Sequence, residues 1–552
     1  MARVHRAAAV VAVAAAWVSW PRSPAHAYGF SIHSRILTQA YELRGFRLSG
    51  PDVWLARRRY TQTLSLDLVD LGDLARKRAI RHTGRGATIS FSSYLRLDHD
   101  FGDWTGGSVT VDGASTRAID AVPELRASSY GLDLLYAYVD ARGLADGRVD
   151  IKLGRQLAVD ALDWWAMDGA TVRVTTPLHA IVEGFGGLRV RDASPLATSQ
   201  VELDGTTGAD CQEYVEGATP GTGAWQLIDR TRALTDHPDA DDTGYCPQRD
   251  QWMPTFGGAI ETAGFHSVFA RLVYRRSESQ TVGLLGAPDR LSPTALDTGY
   301  YPNEYGQAPA WGVNEERIAA TVRANIDLRG GTAQVSPWAA ARYSLLHGLI
   351  DEAEAGARLR WHAHAIEPEV SYRFPTFDGD SIFNVFSVEP STEARLSWTY
   401  APRAGAARVN ASAWYRRYYR DDEGRQTAAP ATDDAAGGGT VSLDAEVDER
   451  WRARGELFAD GGYGGRRTGG AAALRWRRDR AVSAQGRATL LDIVTDSSTP
   501  IRAVTGALQL GATWRLADGV ALSGVIESSS DRYTHFQARG LAILDLAFAP
   551  ER

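Results

Sequence analysis

The chain has 552 residues, 44% hydrophobic and 23% charged, with 60 basic residues against 67 acidic ones, for a formal charge of −7. That acidic balance excludes a general nucleic-acid binder. With no later run approaching 18 apolar residues, it also excludes a transmembrane helix. Only Lys77 and Lys152 are lysine, a bias that a GC-rich genome explains, although such a bias does not decide where the charges fall.

The first segment reads as a secretory signal over residues 1–27. Arg3, His5 and Arg6 open it, Ala7 to Trp20 is uncharged and largely apolar, and Pro21 ends that run. Ala25-His26-Ala27 then supplies small residues at the cleavage position. The mature chain, 28–552, is read as one domain. Its dominant pattern is alternation with period two, which places successive side chains in two different environments.

In chain order, Tyr60, Leu64, Leu66 and Leu68 oppose Thr61, Thr63, Ser65 and Asp67; next, Ile89, Phe91, Leu95 and Leu97 oppose Ser90, Ser92, Arg96 and Asp98. In 352–363 the alanines, Leu359 and Trp361 share one face, and Glu352, Glu354, Arg358, Arg360 and His362 the other. In 450–459, Trp451, Ala453, Leu457 and Ala459 oppose Arg450, Arg452, Arg454 and Glu456. The last segment carries Phe536, Ala538, Gly540, Ala542, Leu544, Leu546 and Phe548 at every second position, and then Pro550-Glu551-Arg552 where a barrel's assembly signal ordinarily ends in an aromatic.

These strands run about 10–14 residues where soluble ones average about 5–6, and a tilted strand needs about 9–11 to cross hydrocarbon. Short links are read near 143–147, 176–179, 263–265, 328–331, 402–405, 478–480 and 516–519. Longer ones are read near 48–58, 101–130, 157–167, 191–254, 278–313, 375–393 and 420–437. That asymmetry predicts an all-β fold: a single transmembrane antiparallel barrel of about 22 strands, between 18 and 24, with short periplasmic turns and long outer loops. Pro337 and Pro368, inside strands, are expected to mark bulges or rims.

In such a barrel the apolar face meets lipid and the charged face a lumen, since an arginine on the lipid face costs roughly 2–4 kcal/mol at the midplane. The arginines placed inward are Arg96, Arg173, Arg271, Arg323, Arg342, Arg358, Arg360, Arg373, Arg395, Arg416, Arg450, Arg452, Arg454, Arg475, Arg477, Arg487 and Arg539. Asp98, Glu352, Glu354, Glu367, Glu369, Asp444, Glu446 and Glu456 go with them. Two readings follow. The arginines attract anions into a pore, or they form cross-strand ladders with the acids and select nothing.

The segment 191–254 is read as an outer lid or a plug. Cys211 and Cys246, the only cysteines in an exported chain, suggest one disulfide there. Asp236, Asp239, Asp241 and Asp242 form an acidic run that is a solvated tip before it is a calcium site. Eleven of the tryptophans, from Trp164 and Trp165 to Trp514, suggest an interfacial girdle.

The hairpin Ile151-Lys152-Leu153-Gly154-Arg155-Gln156, followed by Trp164-Trp165-Ala166-Met167-Asp168-Gly169-Ala170, resembles that of porin-like barrels, including alginate-export-type proteins. The resemblance implies an outer-membrane location and, for the export type, a basic lumen that passes an acidic polysaccharide. Arg155 and Asp168 are the hairpin positions it picks out. The expectation is a passive or weakly selective channel in contact with outer-membrane lipid and lipopolysaccharide. It is expected to take small solutes, anions among them if the arginines stand open, and no nucleic acid, to need no cofactor and to catalyse no reaction. The alternatives are export of an acidic polysaccharide, the sheath of an electron-transfer complex, and a barrel-borne enzyme. No GxSxG, HExxH, phosphate-loop or CxxCH motif supports the last two.

Overall fold

Alternation along the chain becomes a closed wall. In the computed structural model the described residues are 29–45, 53–71, 87–100, 108–111, 114–117, 130–190, 212–216, 225–229, 253–263, 267–282, 310–328, 330, 332–374, 390–402, 407–419, 434–495, 500–530 and 536–549. The wall consists of β1 (Gly29–Gly45), β2 (Val53–Val69), β3 (Thr88–Asp100), β4 (Tyr130–Gly143), β5 (Val149–Val159), β6 (Trp164–Thr175), β7 (Ala180–Val190), β8 (Pro254–Thr262), β9 (Val268–Val282), β10 (Ala310–Ala324), β11 (Ala333–Ser344), β12 (Leu349–Trp361), β13 (His364–Arg373), β14 (Ser391–Tyr400), β15 (Ala407–Tyr418), β16 (Ala435–Glu446), β17 (Trp451–Gly462), β18 (Gly465–Arg477), β19 (Val482–Thr495), β20 (Arg502–Ala517), β21 (Val520–Ser530) and β22 (Gln537–Phe548). Each strand pairs antiparallel with the next, and β22 returns to β1 in the register Phe548↔Ile32 to Gly540↔Ala40. Closure satisfies the ladder groups that a sheet edge would leave open, and this is what allows a sheet to stand in hydrocarbon.

The strand number, 22, is the one read from the sequence. Two short hairpins, Ser108–Val111 with Ala114–Arg117 and Gln212–Glu216 with Trp225–Asp229, belong to no wall strand. β1 and β2 pair beyond their other neighbours. The ladder to β22 stops at Ala40 and that to β3 at Arg59, while β1 and β2 continue together to Gly45↔Val53.

Several boundaries move. The link expected over 157–167 is only residues 160–163. The alternation read through Ala363 is broken by a turn at His362, which adopts φ 52 and sends the chain back as β13. A further turn joins Glu446 to Trp451, where Asp448 Oδ1 accepts from the amides of Arg450 and Trp451 at 2.7 and 2.8 Å. Asp479 repeats this at the next periplasmic turn, accepting from Ala481 and Val482, and those two amides hold its carboxyl below the ordinary range.

Neither proline marks a bulge. The register between β11 and β12 runs evenly through Pro337↔Ala357, and the shift lies instead at Arg342/Tyr343. On the other side of β11, β10 breaks after Ala324 opposite Pro337 and resumes as Ile326–Leu328. Pro368 likewise costs ladder pairs without changing register: Gly356↔Glu369 and Leu359↔Ile366 flank the gap. A ring that has no N–H removes a bond and leaves the count of residues intact.

The outward face is apolar and exposed, as at Leu457 (69%) and Ile526 (68%). Near the periplasmic ends it carries Trp361, Trp398, Trp451, Trp476 and Trp514. The rings of Trp451 and Trp476 lie 6.3 Å apart across a pair, and His364 stacks on Trp398 at 6.0 Å. This is the aromatic belt of a membrane interface. Trp165, Trp338 and Trp414 depart from it and point inward.

Candidate functional site

The lumen has two unlike walls. Along β6–β12 most inward charges are paired and several are covered, Arg323 near the periplasmic end of β10 being an exception. Glu261 on β8 takes both Arg173 of β6 and Arg271 of β9, and Arg271 also reaches Glu183 of β7 at 2.9 Å. Toward the outer end lies a denser knot. Glu315 and Arg275 are each 1% exposed and bonded to one another, and Arg189 reaches Glu315 at 2.8 Å.

Asp163, in the link 160–163, accepts from Arg275 at 2.6 Å and from Arg317 at 3.0 Å. Beside it, Leu162 is fully buried against Ala259, Val273 and Ala319, inward residues of β8, β9 and β10, and its carbonyl accepts from Arg342. Asp160 shapes the link, its carboxylate taking the Leu162 amide at 2.8 Å and the Trp165 indole N–H at 3.2 Å. The Arg275 guanidinium lies 5.2 Å from the Trp165 ring. A four-residue link is thus folded into the barrel and held there by one apolar plug and three guanidiniums. Burial raises the Asp163 carboxyl above its ordinary range, against the lowering by Arg275 and Arg317.

Of the twelve arginines singled out from the sequence, six have a carboxylate within 4.0 Å. Arg342 holds Asp351 and Glu352, Arg373 holds Glu352, Arg358 holds Glu367, Arg395 holds Glu393, Arg452 holds Asp444 and Arg454 holds Glu456. The other six, Arg323, Arg360, Arg450, Arg475, Arg477 and Arg487, are exposed and have no carboxylate partner among the described residues. Arg323 lies over the Phe269 ring at 4.6 Å, and Arg477 donates to the Glu449 carbonyl at 3.5 Å.

Arg475 stands directly across from Arg452 on one side and Gln485 on the other; Arg487 stands across from Gln509 and Ala473. At Arg475 and Arg487, then, inward guanidiniums face amides, a small residue and another guanidinium rather than acids, whereas Arg467 at the outer end of β18 is bonded to Asp460. Arg450 sits in the periplasmic turn before β17, at the mouth. Both readings of the arginine rows thus find residues: cross-strand pairs for Arg342, Arg358, Arg373 and Arg452, same-strand pairs for Arg395 and Arg454, and no carboxylate among the described residues for the other six.

The sequence reading missed the knot of Asp163, Arg189, Arg275, Glu315, Arg317 and Asp351. Parity along β9 and β10 was the available signal for Arg275, Glu315 and Arg317; nothing local announced that 160–163 turns inward. Arg155 and Asp168 form a bidentate pair, both contacts 2.7 Å. They lie on the outward face, in register with Ala137 and Leu188, and so take no part in the lumen. Cys211, Cys246, Asp236, Asp239, Asp241 and Asp242 lie outside the described residues.

Among solved structures, OccAB4 of Acinetobacter baumannii matches at 7% identity and TM-score 0.36, covering 94% of this chain and 98% of that one. OpdQ of Pseudomonas aeruginosa matches at 8% and 0.38, covering 96% and 100%. The ferric enterobactin receptor PfeA of Pseudomonas aeruginosa matches at 8% and 0.46, covering 94% and 80%. None of these three is an alginate exporter. No family model and no curated protein matches the chain. Its own geometry, a closed wall of 22 strands with an apolar exterior, an aromatic belt and a charged interior, makes it an outer-membrane β-barrel of porin-like build.

Proposed function

We propose that the protein is an outer-membrane diffusion channel for small solutes and that it favours anions. The single observation behind this reading is the unequal pairing of the lumen. On β17–β20, Arg475 and Arg487 face Gln485, Gln509 and Arg452, with no acid bonded to them among the described residues. A row of uncompensated guanidiniums on a low-dielectric wall raises the local concentration of anions.

The knot around Glu315 narrows the passage opposite that row without adding net charge, because it balances Arg189, Arg275, Arg317 and Arg342 with Asp163, Glu315, Asp351 and Glu352. Solutes then pass between a neutral, sealed wall and a basic, open one. Export of an acidic polymer draws on the same basic wall, but the inward link favours small solutes over a polymer chain.

The test is a reversal potential in a planar bilayer across a potassium chloride gradient. A potential of the sign set by chloride supports the reading; one set by potassium would falsify the anion preference and leave a channel.

A further inference from the structure

A second cluster of the lumen differs in chemistry from the basic row. At the outer ends of β15, β17 and β18, inward positions carry aromatic rings beside carboxylate–guanidinium pairs. Tyr418 stacks on Tyr463 with centroids 4.2 Å apart. The Arg416 guanidinium lies 5.5 Å from the Trp414 ring and 5.9 Å from that of Tyr418, and it is bonded to Glu393, which also holds Arg395. Arg467 lies 5.4 Å from the Phe458 ring and 2.8 Å from Asp460.

Register brings these groups together. Trp414, Gly438, Asp460 and Arg467 follow one another across four strands, and the next inward row is Ser412, Thr440, Phe458 and Gly469. Gly438 and Gly469 leave room where side chains would collide: a Cβ at 438 would lie 2.6 Å from the Asp460 Cβ, and one at 469 would lie 2.9 Å from the Phe458 ring.

We infer that this shelf is a binding subsite for a pyranose sugar at the outer mouth. Ring faces of Trp and Tyr accept the apolar face of a sugar, and a site of this kind needs a few fixed polar groups beside the apolar surface. Here those are carboxylate–guanidinium pairs, which offer acceptors and donors together to neighbouring hydroxyls. Each of the three guanidiniums, Arg395, Arg416 and Arg467, is bonded to one of two carboxylates, Glu393 and Asp460, unlike the row at Arg475 and Arg487, so a neutral polyol fits where a simple anion gains less. The inference rests on the lumen being open to solute, as proposed above, but binding can be read without conduction.

The experiment is saturation-transfer NMR on the full-length barrel in a zwitterionic detergent free of sugar headgroups, with maltose as the probe and benzoate as its rival. Saturable transfer to the maltose ring protons is expected. It should weaken at least fivefold in Trp414→Ala and in Tyr418→Leu and persist in Trp414→Phe, with each variant first shown to keep its heat-modifiable barrel migration. Absence of saturable transfer, transfer to benzoate alone, or transfer unchanged in both ring-removing variants overturns the site. Maltose binding in a barrel that passes no current would remove the channel and leave the subsite standing.

Discussion

The wall of β6–β12 and the wall of β17–β20 are built from the same alternation, yet they spend their inward charge differently. In the first, Glu315 and Arg275 are withdrawn from water and each is bonded to more than one opposite charge. In the second, Arg475 and Arg487 are exposed and meet no acid among the described residues. Buried ions must be paired, because desolvation costs several kcal/mol per charge; solvated ones need not be and are free to act on a solute. Pairing thus marks the buried charges of the first wall, and on the proposed reading Arg475 and Arg487 are the charges of the second that act on a solute, beside the paired Arg452, Arg454 and Arg467.

The contrast breaks most easily at Glu315. Replacing it with Ala leaves Arg189 and Arg275 buried with an acid missing, and should cost about 3–5 kcal/mol. This would be read as a lowered urea midpoint for loss of the heat-modifiable barrel. Arg475→Ala, tested in parallel, should leave that midpoint where it is. A comparable loss from both would erase the distinction between the walls.

Leu162→Ala comes next. It empties the pocket among Ala259, Val273 and Ala319 and should destabilise the inward link by about 2–5 kcal/mol. Single-channel conductance should rise as the link leaves the lumen; an unchanged conductance would mean that 160–163 does not narrow the path.

Third, the pair Arg475→Gln and Arg487→Gln should lower the anion-to-cation permeability ratio by a factor on the order of 10. Arg452→Gln, which removes a paired guanidinium together with its claim on Asp444, should do less.

The smallest effect concerns pH. Burial raises the Asp163 carboxyl in the inward link, whereas in a solvated link it would titrate near 3.9. The inward state therefore holds its proton more tightly, and linkage favours it as pH falls from the raised value toward the ordinary one. Conductance should decline in that window, and Asp163→Asn should flatten the response. A rise in acid would mean that the ion pairs to Arg275 and Arg317 outweigh desolvation.

Much of this architecture is legible in a period of two. Alternation at 60–68, 352–361 and 451–459 fixes which face is greasy, and strand length separates a membrane wall from a soluble sheet. The turn at His362 escaped because His362 and Ala363 continue the alternation unbroken, while the backbone at His362 takes a left-handed conformation that composition does not announce. Pro337 and Pro368 were expected at bulges or rims, and no bulge forms at either, because a missing donor and an extra residue look alike in one dimension. The knot around Glu315 was hidden for a different reason: its partners come from five separate elements between Asp163 and Asp351, and no local pattern carries a contact across more than a hundred residues. The unpaired arginines were visible as arginines, but whether each finds an acid depends on registers such as Arg475↔Gln485 that only closure sets.

The projecting ribbon of β1 and β2 has a consequence for depth. Among the described residues, beyond Ala40 on one strand and Arg59 on the other the ladder joins β1 and β2 to each other alone, which leaves backbone donors and acceptors that oil cannot satisfy. The hydrocarbon must therefore end at or below that level. Measured along β1, the stretch from Phe30 to Ala40 is eleven residues, the length a tilted strand needs for the crossing. The place where a third strand drops away thus serves as a waterline drawn on the protein itself.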